Sequence, residues 1–241
     1  MDQIALISDI HGNTPALQAV AADMDARGVH TIYSLGDMCG RGPCGAEVID
    51  WCRSHCDAIL MGNWEDFLIR APKQPKAQKY IGQLGEQRFQ FLHTLPFTKT
   101  FWFSGRRIHL FHGRPVHETL VFDESPNEEK HKLFSAVPDK HPPDVVGYAD
   151  IHRQFKTDFI SNGKTLFNVG SVGNSYSSPA AFYVILHGIK DQQTPAPFSI
   201  EFISVPYDIA AAVENARAAD AWFDTENYIC EITSSEWHNV Q

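Results

Sequence analysis

The chain has 241 residues and a mass of 27.1 kDa, with 43% hydrophobic and 20% charged residues, enough for a substantial core of ordinary globular composition. A formal charge of −9 and a pI near 5.7 exclude a protein that grips a nucleic-acid backbone through a basic surface. No apolar run is long enough to cross a bilayer, and Met1-Asp2-Gln3 leads into a short apolar strand rather than a secretory leader.

The first 70 residues read as alternating strands and helices. "IALIS" (4–8) suits a strand buried on both faces. A polar cap at Asn13 or Thr14, Pro15 early in the turn and Gly28 as a stop predict a helix between them. "TIYSLGD" (31–37) is a second strand, "AEVIDWCRSH" (46–55) a second helix and "AILMGN" (58–63) a third strand. Such alternation implies parallel strands with helical crossovers.

Further strands are expected at "RIHLFHG" (107–113), "DVVGYAD" (144–150) and "TLFNVGS" (165–171). "AAFYVILHG" (180–188) and "FSIEFISV" (198–205) alternate enough to predict a second, antiparallel sheet. A helix follows at 207–221. Residues 1–241 are expected to form a single domain, with a small helical cap around 72–95. The five cysteines are odd in number and lack paired spacing, which fits a reducing cytosol and a cytoplasmic protein. Cys52 and Cys56, one helical turn apart, are expected to pack rather than bind metal.

Polar groups collect where the strands end. Asp9 and His11 follow the first, Asp37 the second and Asn63 the third; His112, Asp150 and His152 close later strands. In an open α/β sheet these ends form the ligand crevice. Carboxylates, an amide oxygen and imidazoles without a thiolate suit divalent first-row metals. A central carboxylate such as Asp37 can bridge two ions. Paired ions suit phosphoryl transfer, because they acidify an attacking water and hold the phosphoryl oxygens. They would also give an acidic protein local positive charge for an anionic substrate.

"SDIHGN", "GDMCGRGP", "GNWED", "FHGRP" and "YADIHRQF", in that order, resemble the five blocks of the calcineurin-like metallophosphoesterases. "FNVGSVGNSY" is similar to that family's Asn-Pro-Gly-Ser loop, and the likeness spans about residues 4 to 176. "GNWED" and the chain length look most like the bacterial asymmetrical diadenosine tetraphosphate hydrolases. The resemblance implies a four-layered α-β-β-α sandwich of two mixed sheets. It implies two divalent ions, with Mn or Fe expected first and Zn, Mg or Ni as alternatives. Asp9, His11, Asp37 and His152 would hold the first ion, and Asp37 would bridge to the second. Asn63 and His112 would bind the second, with Asp150 in the remaining position. Asp37, Asn63 and His112 are the expected catalytic residues.

Two departures from the family pattern stand out. The fifth block usually reads Gly-His-x-His, whereas here Asp150 precedes His152 by two. The third usually has a histidine after Asn63, whereas here Trp64 takes its place. Loss of that histidine matters least for a polyphosphate leaving group, which is already stable at neutral pH. Three aspartates against two dications leave the centre less positive than a histidine at 150 would. Its bound water should then ionise at higher pH.

Arg114, Arg153 and Trp64 are the expected substrate contacts, the arginines for phosphate and the indole for a nucleobase. The expected substrate is a small phosphorylated molecule, a nucleotide such as a dinucleoside tetraphosphate. Alternatives are a serine/threonine protein phosphatase, a phosphodiesterase, or an inactive scaffold of the same fold like the retromer subunit. A homodimer through Trp222, Phe223, Tyr228 and Trp237 is a further possibility.

Overall fold

The structure is a computed structural model that describes residues 1–135, 142–219 and 224–236. The first half runs β1 (Asp2–Ile7), α1 (Thr14–Ala26), β2 (Thr31–Ser34), α2 (Gly45–His55), β3 (Ala58–Ile59), α3 (Asn63–Arg70), α4 (Pro75–Leu84) and α5 (Glu86–Leu92). Then come β4 (Thr98–Phe103), β5 (Arg106–Phe111), α6 (Asn127–Ser135), β6 (Val145–Tyr148), β7 (Gln154–Phe159) and β8 (Lys164–Val169). The chain ends with β9 (Ala181–Gly188), β10 (Ser199–Val205), α7 (Ile209–Ala218) and α8 (Thr225–Ser234).

Two mixed five-stranded sheets stack face to face, in the orders β10-β9-β1-β2-β3 and β4-β5-β6-β8-β7. Strand alternation divides the core into layers. Ile4 and Leu6 of β1 point between the sheets, where they meet Leu110, Val145, Phe167 and Val169 of the second sheet. Ala5 and Ile7 point the other way, against Leu17, Val20 and Met24 of α1 and Val48, Ile49 and Cys52 of α2. On the far face of the second sheet, Val146, Tyr148 and Leu166 pack under Leu133 and Phe134 of α6. The result is the α-β-β-α sandwich that the resemblance implies.

The C-terminal strands correct one expectation. β9 pairs antiparallel with β1, so β9 and β10 complete the first sheet rather than forming a second. The reason is that β9 is apolar on both faces: Tyr183 and Ile185 join the helix-side core, Val184 and Leu186 the inter-sheet core. A half-exposed sheet would leave one of those faces wet. The second sheet is instead built from the middle of the chain. Its edge strands β4 and β7 carry no strand assignment from sequence, because their pattern is mixed; pairing with β5 and β8 orders them, together with Phe103, Phe155 and Phe159 in the core.

Residues 75–92, inside the segment expected as a cap, form α4 and α5. Ala77, Tyr80, Leu84 and Leu92 of this pair belong to the same core as α1 and α2. Tyr228 of α8 is buried with Ala212, Ala216 and Ile232. Trp222, Phe223 and Trp237, named for a dimer contact, lie outside the described residues. Among the described residues no helix is long and apolar enough to cross a membrane.

Candidate active site

β1 and β2 end before their polar residues, yet the loops beyond them keep tracking each other. Leu35 N–H donates to Ile7 O at 2.8 Å, Asp9 N–H to Gly36 O at 3.1 Å and His11 N–H to Asp37 O at 3.0 Å. Close approach requires glycine here. A Cβ on Gly36 would lie 2.4 Å from Gly62 N, and one on Gly62 would lie 2.2 Å from Asp37 Oδ1. Asn63 then opens α3.

Asp9, His11, Asp37, Asp150 and His152 all have positive φ, between 49° and 69°. For residues other than glycine this costs on the order of 1 kcal/mol each. Such strain gathered on one set of facing side chains is typical of functional sites.

These side chains face one another. Asp9 Oδ1 lies 3.1 Å from His152 Nε2 and 3.7 Å from both His11 Nε2 and His112 Nε2. Asp37 Oδ2 is 3.6 Å from His11 Nε2 and 3.5 Å from His112 Nε2. Asn63 Oδ1 is 3.0 Å from His112 Nε2. Two groups of ligand atoms result, Asp9-His11-His152 and Asp9-Asp37-His112, each within 4.8 Å. Asp9 is common to both, and Asp37 reaches imidazoles of both.

Three features show that a cation fits. First, each imidazole donates Nδ1–H to a backbone carbonyl: His11 to Cys39 at 3.2 Å, His112 to Leu35 at 3.0 Å, and His152 to Asn174. Each Nε2 is thereby turned toward the carboxylates, as in ligating histidines. Second, Asp9 Oδ1 is buried and has no hydrogen-bond partner. Third, among the described residues no lysine or arginine pairs with Asp9 or Asp37, so the imidazoles carry the charge balance. Burial opposes protonation of His112, but Asp37 and Asp9 outweigh it and raise its pKa to about 10. Burial would push the Asp9 carboxyl up, yet His152 and His112 hold it well below the usual range. Burial pushes His11 down. Divalent ions would replace the His112 proton and satisfy both carboxylates.

Asp150 is placed differently from the other expected ligands. Both of its oxygens are taken by Arg114, and it belongs to neither ligand group. Arg114, Arg153 and Trp64 line a cleft of about 170 Å³ that opens on Asp37 and Asn63. Leu120, Phe122, Ile151 and Tyr176 form its apolar wall. Tyr176 stacks on His152, with ring centroids 4.7 Å apart and planes 8° apart. Trp64 packs against Tyr80 at 5.2 Å and under Lys76 Nζ at 4.8 Å. It therefore serves both the core and the cleft.

Residues 3–191 match the calcineurin-like phosphoesterase superfamily domain. The chain belongs to that family. It is accordingly a metal-dependent phosphoester hydrolase by type. An uncharacterized protein of Methanocaldococcus jannaschii is 28% identical over 226 residues, which cover 88% of this chain and 90% of that one. A metallophosphoesterase from Sphaerobacter thermophilus superposes with a TM-score of 0.77 at 24% identity, covering 97% of this chain and all 100% of that one. A hypothetical protein from Pyrococcus horikoshii OT3 gives 0.73 at 15% identity, covering 97% and 98%. Both structural likenesses bear on the fold.

Several supporting residues of this phosphoesterase escaped the sequence reading. Glu65 is fully buried and braces the Asp37 loop. Glu231 of α8 is buried against Arg41, both oxygens 2.8 Å from its Nη1, and accepts from Asn174 Nδ2 at 2.8 Å. Ser171 Oγ–H donates to Asp9 O at 2.8 Å. Glu65 is the fourth residue of the "GNWED" block and could have been found there. Glu231 lies 190 positions from Arg41 and carries no local signal.

Proposed function

We propose that the protein is a dinuclear metal-dependent phosphoesterase that cleaves a phosphoester or phosphoanhydride bond of a small nucleotide. The observation that carries this reading is the convergence of Asp9, Asp37, Asn63, His11, His112 and His152 with every Nε2 turned inward. Two divalent ions held there would acidify an attacking water and offset charge building on the phosphoryl oxygens. Asp9, His11 and His152 would hold one ion and Asn63 and His112 the other, with Asp37 between them. Mn or Fe is the first choice for this mixed N/O set.

The adjoining cleft supports a nucleotide. Arg114 and Arg153 offer guanidinium donors to a phosphate chain, while Trp64, Phe122 and Tyr176 offer faces to a base. Dinucleoside tetraphosphate is the first substrate to test, since Trp64 leaves no histidine to protonate a poor leaving group.

The test is chromatographic analysis of diadenosine tetraphosphate after incubation with Mn²⁺-loaded protein, with Asp37→Asn as control. ATP plus AMP, lost in the variant, supports the asymmetrical hydrolase reading. Intact substrate alongside turnover of a phosphomonoester or phosphodiester moves the assignment to the alternative enzymes. No turnover and no metal uptake after reconstitution moves it to a scaffold.

A further inference from the structure

Asp150 stands where the resemblance places a metal-binding histidine, but its surroundings are those of a guanidinium anchor. Its Oδ2 accepts the Arg114 backbone N–H at 3.0 Å and Nε–H at 2.9 Å, and its Oδ1 accepts Nη2–H at 2.7 Å. This is the planar two-point pairing that fixes an arginine in direction as well as position. The backbone is shaped for it: a Cβ on Gly113 would lie 2.6 Å from the Asp150 Cβ, so only glycine lets the carboxylate slide beneath the Arg114 amide. The Asp150 side chain is 3% exposed, while that of Arg114 is 45% exposed.

The paired guanidinium sits at the edge of the metal centre. Arg114 lines the cleft together with Asp37 and Asn63. Asp150 N–H approaches Asp9 Oδ2 at 3.4 Å, which joins the pair to the buried cluster. The Nη1 of Arg114 has no partner among the described residues, so donors remain for a ligand after Asp150 has taken Nε and Nη2. The other two arginines of the cleft lack this combination. Arg41 is drawn toward Glu231, and Arg153 is exposed with no carboxylate holding it among the described residues.

We propose that Asp150 is a positioning residue rather than a metal ligand, and that it aims Arg114 at a phosphate of the substrate. The chain has given up a ligand position beside the centre in exchange for a fixed guanidinium. This inference rests on the phosphoesterase reading above and names the phosphate contact within it. A metal ion on Asp150 would have to share oxygens that already accept three hydrogen bonds, two of them from a charged group.

The test compares wild-type protein with Asp150→Asn, Arg114→Ala, Arg114→Lys and the Asp150→Asn/Arg114→Ala double variant. Each is loaded with Mn²⁺, its metal content is measured by mass spectrometry, and its affinity for inorganic phosphate by calorimetry. Asp150→Asn is expected to keep wild-type metal stoichiometry and Mn²⁺ affinity. Its phosphate affinity should fall roughly ten- to a hundred-fold, the scale of a hydrogen bond to a charged group. Arg114→Ala should match that loss, the double variant should add nothing, and Arg114→Lys should fall between, keeping charge without the fork. On a turned-over substrate the loss should appear in KM more than in kcat. Loss of a metal ion in Asp150→Asn, or wild-type phosphate affinity in Arg114→Ala, would overturn the proposal. Wild-type protein that takes up Mn²⁺ and phosphate and shows the expected variant pattern, but hydrolyses no phosphoester, supports the Arg114 assignment and overturns the enzymatic reading. Wild-type protein that binds neither overturns both.

Discussion

The buried carboxylate of Glu65 holds the backbone of Asp37: its Oε2 accepts the Asp37 N–H at 2.8 Å and the Gly62 N–H at 3.0 Å, while Oε1 accepts the Met38 N–H at 2.9 Å. Burial and the charge of Asp37 push the Glu65 carboxyl up to about 7. Its position therefore depends on those amide donors. Glu65→Gln keeps the shape but turns an NH₂ toward N–H groups that have no other acceptor among the described residues. We expect a loss of about 2 kcal/mol, the desolvation cost of an unsatisfied buried donor, together with weaker metal retention. Urea denaturation and metal analysis of the same sample check this. An unchanged midpoint would show that the loop holds itself.

Arg41 and Glu231 link the loop after β2 to α8. Glu231→Ala removes the partner of a largely buried guanidinium and leaves Asn174 Nδ2 without its acceptor. The expected destabilisation is about 3 kcal/mol, since breaking one side of a buried pair leaves an uncompensated charge. Hydrogen exchange should also quicken in α8 before the β1 core opens. Exchange that rises uniformly over the whole chain would contradict a local brace.

Metal uptake should be linked to protons. The metal-free protein carries a proton on His112 up to about pH 10, and a ligating imidazole must give it up. Mn²⁺ affinity should climb by up to about tenfold per pH unit between pH 7 and 9. Calorimetry in buffers of unlike ionisation enthalpy should read at least one proton released. Affinity that stays flat over that range would refute the linkage.

His109 should make the fold acid-sensitive away from the site. Burial, then the charge of Arg107, lowers its pKa from 6.5 to about 4, and its Nε2 is buried without a partner. Between those two values the unfolded chain takes up a proton that the folded chain refuses, so stability falls as pH drops through 6.5 toward 4. The loss at pH 5 relative to pH 7 should be about 2 kcal/mol from this residue. His109→Gln, which can keep the contact with Thr100, should lose less stability over the same interval by that amount. Denaturation curves of both proteins at the two pH values decide it.

Much of the site was legible because its chemistry is written in short local strings. Asp9, His11, Asp37, His112 and His152 lie within four residues of a strand end and Asn63 opens a helix, and parallel crossovers must bring such ends to one side. What the strings could not show is which loops press together. Asp150 is the instructive case: counting charges along the sequence adds its −1 to the metal centre, whereas in space Arg114 pairs with it. The expected rise in the pH at which bound water ionises loses its basis once that charge is answered.

The amino-acid sequence by itself determined the alternation of strands and helices, the family, and a set of candidate ligands for divalent ions, because periodicity and motif spacing are properties of neighbouring positions. Only the tertiary structure decided that β9 lies beside β1, that Glu65 and Glu231 brace the ligand loops, and that Asp150 faces Arg114. Each of those depends on contacts between segments far apart in the chain, where burial on both faces of a strand or the pairing of a buried charge selects the arrangement.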